Sequence, residues 1–321
     1  MKPYRVPEGK LVRDSLVDTK CCGHFRVAAV KLNVMDGIPI NIIYPELPAK
    51  HVFKTDKSTQ LARMAEPPFA WTANGSDLLY IADPNDTKFF LREFQLHDSR
   101  TIRNTSLSTP PAFPYGLVML PDSHRVLYIG GMNRWGVHPA VLTDLYSVLN
   151  GHVSRLTHFG SVIGVAVCGS SVVFAASEHL QNSIRISLFN LNSYSPFSIH
   201  LKTRVDIPAG MFKGDPKKAW IENLQISSDC KRLLMSISSE SKRNITNTLL
   251  ETSLSPPTQN IICRSNHFDL VGSFIPDSEN IAVAEQIPLF LVLESVRIYA
   301  PNGKGYILQH TIYNHKANSD K

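Results

Sequence analysis

Leu224-Gln225-Ile226-Ser227-Ser228-Asp229-Cys230-Lys231-Arg232-Leu233-Leu234-Met235 is an apolar run, a polar turn and a second apolar run. Short apolar segments on either side of a Ser/Asp cluster read as two strands joined by a tight turn. The same element occurs four more times. Trp71-Thr72-Ala73-Asn74-Gly75 leads into Leu78-Leu79-Tyr80-Ile81, and Val118-Met119-Leu120-Pro121-Asp122-Ser123 into Val126-Leu127-Tyr128-Ile129. Val165-Ala166-Val167-Cys168-Gly169 leads into Val172-Val173-Phe174, and Phe274-Ile275-Pro276-Asp277-Ser278 into Ile281-Ala282-Val283. The turns start at positions 74, 122, 168, 229 and 277, so the steps between them are 48, 46, 61 and 48 residues. A hairpin-based repeat of that length predicts a β-propeller.

Around each copy the sequence supplies two further strands. In the third blade Leu142 to Leu149 and His152 to Phe159 flank Asn150-Gly151, a strong hairpin signal because both central residues tolerate positive φ. Phe89 to Leu96 and Thr101 to Leu107 complete the second blade, Ile184 to Asn190 and Phe197 to Leu201 the fourth. Asn244 to Thr252 and Asn260 to Arg264, broken at Pro256-Pro257, complete the fifth; Val292 to Ala300 and Tyr306 to Tyr313, around Asn302-Gly303, complete the last. A degenerate first copy runs through Leu11 to Val17, Phe25 to Leu32, Ile40 to Tyr44 and His51 to Lys54, with its turn at Cys22-Gly23. The expectation is an all-β, six-bladed propeller of four-stranded antiparallel blades forming one domain over residues 1–321. Its blades fall at about 11–56, 67–108, 113–160, 161–202, 220–265 and 269–314.

The turn-and-strand element resembles the TolB-type (WD40-like) propeller repeat. Pro121-Asp122-Ser123-His124-Arg125-Val126-Leu127-Tyr128 and Ser228-Asp229-Cys230-Lys231-Arg232-Leu233-Leu234 are the nearest copies. Leu145 to Thr157 looks like that family's second half, closing on Leu156-Thr157, and the likeness covers about positions 67 to 313. None of the five turns keeps an Asp-Gly pair. Such a resemblance implies a fold that hosts scaffolds, hydrolase-attached domains and lyases, and it leaves function to the loops.

The totals agree with a globular chain of 321 residues, 43% hydrophobic and 19% charged. A net charge of +6 favours an acidic partner and equally serves solubility. The first ten residues lack an apolar signal-peptide core, and no apolar run is long enough to span a bilayer. Cys21, Cys22, Cys168, Cys230 and Cys263 show no C-x-x-C spacing. All five are therefore expected to be reduced thiols of a cytoplasmic protein. The N-x-S/T matches at Asn74, Asn85, Asn104 and Asn244 are read as chance.

In a propeller the short repeat turns share one face, and the irregular connections on the other carry specificity. The 61-residue step points to the connection Lys202 to Trp220, which carries Lys202, Arg204, Lys213, Lys217 and Lys218 against Asp206 and Asp215, with Met211, Phe212 and Trp220 interleaved. Lys242 and Arg243 should emerge nearby. Bases among aromatics suit phosphates and stacked rings; the same pattern also suits a long loop anchored by Phe212 and Trp220 and solvated by its lysines. In the third blade Gly130-Gly131-Met132-Asn133-Arg134-Trp135-Gly136 offers an exposed Trp and Arg, residue types enriched at binding hot spots, or a Trp folded back on the blade edge.

Two functional readings follow. The first is a non-catalytic scaffold using Arg134, Trp135, Lys213, Lys217, Lys218, Trp220, Lys242 and Arg243. It would dock a protein partner, with an acidic polymer or nucleic acid as the alternative. The second is an enzyme, a lyase or hydrolase acting on a glycan or ester, with His138, His179 and a carboxylate, Glu178 or Glu285, at the channel mouth. No metal-binding spacing, phosphate loop or nucleophile elbow occurs, so no cofactor or metal is expected.

Overall fold

In the computed structural model the described residues are 11–16, 27–32, 39–44, 47–54, 69–71, 77–82, 90–95, 100–108, 115–120, 125–131, 143–192, 198–241, 244–275, 278–287, 292–303 and 305–314. They form six four-stranded antiparallel sheets, each a simple meander. The first is β1 (Leu11–Leu16), β2 (Val27–Leu32), β3 (Pro39–Tyr44) and β4 (Leu47–Lys54); the second is β5 (Phe69–Trp71), β6 (Asp77–Ala82), β7 (Phe90–Gln95) and β8 (Arg100–Ser106). The third is β9 (Tyr115–Met119), β10 (Arg125–Gly131), β11 (Thr143–Leu149) and β12 (His152–Arg155); the fourth is β13 (Val162–Cys168), β14 (Ser171–His179), β15 (Ser183–Asn192) and β16 (Ser198–Pro208). A four-residue helix, α1 (Ala209–Phe212), and a 3-10 turn at Pro216–Lys218 precede the fifth sheet, β17 (Ala219–Ile226), β18 (Arg232–Ser241), β19 (Asn244–Leu254) and β20 (Pro257–Ser265). The sixth is β21 (Asp269–Phe274), β22 (Ile281–Ile287), β23 (Val292–Pro301) and β24 (Tyr306–Asn314). The predicted pairs of strands are thus present in all six segments. The turns at Asn74, Asp122 and Asp277 and the one at Cys22-Gly23 lie outside the described residues.

The chain divides into two compact units, Met1–Ser106 with His267–Lys321, and Leu107–Asn266. In the first unit β1 runs beside β21, β22 and β23. In the second, the first strands of the three sheets lie side by side, β13 against both β9 and β17. Cores fill the spaces between neighbouring sheets. Leu127, Ile129 and Leu145 of the third sheet meet Val162, Val172 and Phe174 of the fourth; Val173, Ile184 and Ile186 of the fourth share a core with Leu224, Leu233, Met235 and Leu250 of the fifth. Each of these fully buried apolar side chains contributes roughly 1.5–3 kcal/mol. Sheets covered on both faces explain why the inner strands read as continuous apolar runs rather than alternating ones.

Local chemistry fixes the β11–β12 turn where the sequence predicts it. Asn150 and Gly151 take φ of 51° and 82° and join Leu149 to His152, the paired ends of β11 and β12. The closing Leu156-Thr157 is structural. The Thr157 hydroxyl donates to Asp144 Oδ1 at 2.9 Å and accepts from Leu145 N at 2.9 Å. Asp144 is 1% exposed, accepts from Gly160 N at 3.2 Å and pairs with Arg155.

Two expectations need correction. Cys168 and Cys230 are not reduced thiols; they form a disulfide with Cα atoms 5.8 Å apart. They sit at equivalent turns of neighbouring sheets, where side-by-side packing brings distant residues together. Their pairing also removes one support for a cytoplasmic location, since disulfides persist mainly in oxidising compartments. Among the described residues no helix is long and apolar enough to cross a membrane. The second correction concerns the fourth sheet, whose outer strand runs on to Pro208 rather than ending near residue 202. Its register with β15 extends from Asn192↔Ser198 to Ser183↔Pro208.

Candidate basic loop between the fourth and fifth sheets

Since β16 takes up residues through Pro208, the connection itself is Ala209 to Lys218, and it is fastened along its length. Ala209 N donates to Asn182 O at 3.0 Å, anchoring the start to the β14–β15 turn. Phe212 is completely buried in the core between the two sheets. Its carbonyl accepts from the buried Ser239 hydroxyl at 2.8 Å. Gly214 rests on the same serine; a Cβ there would lie 2.5 Å from that of Ser239. Asp215 closes the 3-10 turn by accepting from Lys217 N at 2.9 Å, and Pro216 is buried.

The fifth sheet holds the segment and the end of β16 before it from outside as well. Arg264 Nη2 donates to Met211 O at 2.9 Å, and Gln259 Nε2 donates to Asp206 O at 2.8 Å. Sequence reasoning missed both residues. Nothing local marks them, because each partner lies 53 positions away.

Lys213, Lys217 and Lys218 are exposed on this fixed frame. Among the described residues none of the three is in an ion pair. The acidic neighbours are already engaged. Asp206 forms a two-bond fork with Arg185, at 2.8 and 3.0 Å, from directly opposite on β15. That hydrogen bonding, with the Arg185 charge, holds the Asp206 carboxyl below its ordinary range despite a smaller opposing effect of desolvation. Lys202 and Arg204 are residues of β16, so they belong to the sheet edge and not to the loop.

Trp220 is placed inside. It is 7% exposed, with its indole N–H donating to Glu222. Glu222 is the extra residue of a β-bulge in β17 and also accepts from the Ser238 hydroxyl at 3.1 Å. The ring therefore serves as a footing for the strand that follows the loop. Arg134, Trp135, His138, Lys242 and Arg243 lie outside the described residues; Lys242 and Arg243 fall between Ser241 and Asn244, which pair across the β18–β19 hairpin.

The remaining histidine and carboxylates have structural partners. His179 Nδ1 lies 2.7 Å from Pro216 O; a carbonyl only accepts, so Nδ1 carries the proton and donates. Glu178 is exposed, opposite Arg185 on β15. Glu285 is buried in the other unit, where it accepts from Ser295 Oγ at 2.7 Å and pairs with Arg297 at 3.0 Å. Among the described residues no group of three or more His, Cys, Asp or Glu side chains is placed to hold a metal ion.

No family model matches the chain, and no curated protein matches it in sequence. Solved structures do match. An oligogalacturonate lyase from Vibrio parahaemolyticus superposes with a TM-score of 0.54 at 10% identity, over 93% of this chain and 93% of that one. KlAtg21, in its complex with the coiled coil of AgAtg16, superposes with a TM-score of 0.53 at 12% identity, over 94% and 99% of the two chains. The fold is propeller-like. At such identities the likeness extends to fold alone. One neighbour is a lyase and the other is held in a protein complex, so a shared propeller decides neither catalysis nor binding.

Proposed function

We propose that the protein is a non-catalytic binding propeller of six TolB-type blades in one ring, docking an acidic partner surface on its loop face. The observation that carries this reading is the pinned segment 209–218. Among the described residues its Lys213, Lys217 and Lys218 are exposed and without ion pairs, on a backbone held by Phe212, Ser239, Arg264 and His179. A frame that is already ordered loses little conformational entropy when a partner docks. Three ammonium groups on it favour carboxylates or phosphates. Trp135 and Arg134, with Lys242 and Arg243, extend the proposed surface, and a protein is its leading partner. The His/carboxylate reading gains no comparable support, since His179 is committed to a backbone carbonyl and Glu285 to Ser295 and Arg297.

The test uses duplex DNA as a polyanion probe and a crosslinking pull-down for a protein partner. Lys213→Glu, Lys217→Glu and Lys218→Glu together should reduce the slope of log K against log salt by roughly 2–3, at about 0.9 for each phosphate no longer neutralised. Combining Trp135→Ala with Lys217→Glu and Lys218→Glu should abolish partner recovery. An unchanged salt slope together with unchanged recovery would sink the placement.

A further inference from the structure

The Cys168–Cys230 bridge joins the last residue of β13 to the turn between β17 and β18. No backbone ladder connects those strands, which belong to different sheets. They are held by side-chain packing, with Leu224 of β17 against Gly164 of β13. The bridge therefore lies on the turn end of the seam, while the basic loop fastens the other end. We propose that Cys168–Cys230 is a redox-operated fastener between the fourth and fifth sheets, closed by oxidation and opened by a thiol reductant.

Backbone geometry supplies an independent argument. Cys230 has φ of 55°, in the left-handed region that a Cβ disfavours. The neighbouring turn meets the same demand with a glycine, Gly169 at φ 62°. As an unpaired residue, cysteine is a poor choice for the Cys230 position. Its side chain offsets that cost by burial in the core and by the bridge. Cys230 is 4% exposed and packs in the core between the two sheets, with Cys168, less deeply buried, against it.

Access therefore favours attack at Cys168. A glutathione thiolate attacks Cys168 Sγ, forming a mixed disulfide there and expelling Cys230 as a thiolate, which takes a proton from water. A second glutathione thiolate attacks the glutathione sulfur of that mixed disulfide. The products are the Cys168 thiol, after protonation, and glutathione disulfide, so two electrons pass from the two glutathiones to the bridge. Closure is the reverse, with glutathione disulfide as oxidant.

The experiment uses the full chain equilibrated in oxidised or reduced glutathione and reads thermal unfolding, with alkylation and peptide mass mapping of the cysteines. The cysteines are 62 positions apart, and a loop of that length predicts a melting temperature lower by roughly 8–15 °C on reduction. Cys168→Ser should melt low in both buffers. Cys230→Gly should melt below wild type in the oxidised buffer and, without the bridge, should not shift between the two buffers. Alkylation of both Cys168 and Cys230 after oxidation would overturn the proposal. So would a redox shift of equal size in Cys168→Ser, which would trace it to other cysteines. A redox shift that survives in Cys230→Gly would overturn it as well.

Discussion

Gly164→Ala probes the seam between the fourth and fifth sheets with one methyl group. A Cβ at Gly164 would lie 2.5 Å from Leu224 Cδ2, 3.0 Å from Leu224 O and 3.6 Å from Leu224 Cβ. Ordinary carbon contacts need about 3.5–4.0 Å. The leucine side chain has nowhere to go, since Leu224 is 4% exposed and packed among Ile226, Leu233 and Met235. Its carbonyl is backbone in a strand whose residue 224 is registered against Met235, so relief there means moving β17 as a whole. Overpacking of this kind costs about 1–3 kcal/mol. Replacing glycine by alanine returns about 0.4–1 kcal/mol by restricting the unfolded chain, which offsets only part of that. From the middle of those ranges the net loss is about 1.3 kcal/mol, or a fall of roughly 3–5 °C in melting temperature for a unit of this size. Calorimetry in reducing buffer keeps the disulfide from masking the effect. Leu224→Ala alone should cost about 2–5 kcal/mol through the cavity it leaves. The double variant should cost less than the two together, because the alanine methyl then occupies vacated space. A Gly164→Ala protein that melts with wild type, or strictly additive costs, would refute the close approach of the two strands.

Two other perturbations test the polar supports of the same unit. Asp144→Ala removes the acceptor of Thr157 Oγ1 and Gly160 N and the partner of Arg155. Arg155 is 44% exposed and rehydrates, so the cost of about 2–3 kcal/mol comes mainly from the buried Thr157 hydroxyl and the half-buried Gly160 N–H; it should appear as a lower urea midpoint with an unchanged slope, and an unchanged midpoint would contradict it. Asp229→Asn tests the repeat turn against pH. Burial alone would raise the Asp229 pKa, but hydrogen bonds from Ser227 and Lys231 N, with the Arg232 and Lys231 charges, more than offset it and leave it depressed. Its contribution is thus full above the unfolded value of about 3.9 and lost as pH falls through the lower folded value. The variant should lose less stability than wild type below about pH 4 in urea titrations, and identical acid limbs would argue against the turn network.

How far the sequence could be read depended on which physical signal dominated each segment. Asn150-Gly151 is local chemistry, so the β11–β12 turn was legible to the residue. Lys202 to Pro208 is strand where the sequence reading expects loop, although the strand pattern is present. Thr203, Val205 and Ile207 alternate with Lys202, Arg204 and Asp206, and Val205 and Ile207 point into the core. That is period-two strand patterning with β-branched residues on one face; the basic residues on the other face gave it the look of a loop. Trp220 poses a different problem. Composition marks it as an aromatic beside lysines, but it is buried at the start of β17 with its indole N–H donating to Glu222, the residue of a bulge that no local rule announces. His179 and Arg264 acquire their roles from backbone carbonyls on other elements, which sequence alone does not display.

The cysteines expose a subtler error of scale. A separation of 62 residues looks like distance when the chain is read as a line. In a repeat whose units stand side by side, it is the opposite. The step between the turns at Cys168 and Asp229 is 61 residues, so Cys168 and Cys230 occupy nearly the same place in consecutive units. Equivalent places in adjacent sheets are neighbours once β13 packs against β17. The period of the repeat therefore also says which residues meet, and those about one period apart are the first candidates for bridges, ion pairs and close packing. Gly164 and Leu224, 60 positions apart by residue number, obey the same arithmetic. Short and regular, the repeat turns read as mere structural punctuation. With a disulfide at one of them and a depressed carboxyl beside it, that face carries chemistry of its own, and the loop face is not the only one whose side chains answer to their surroundings.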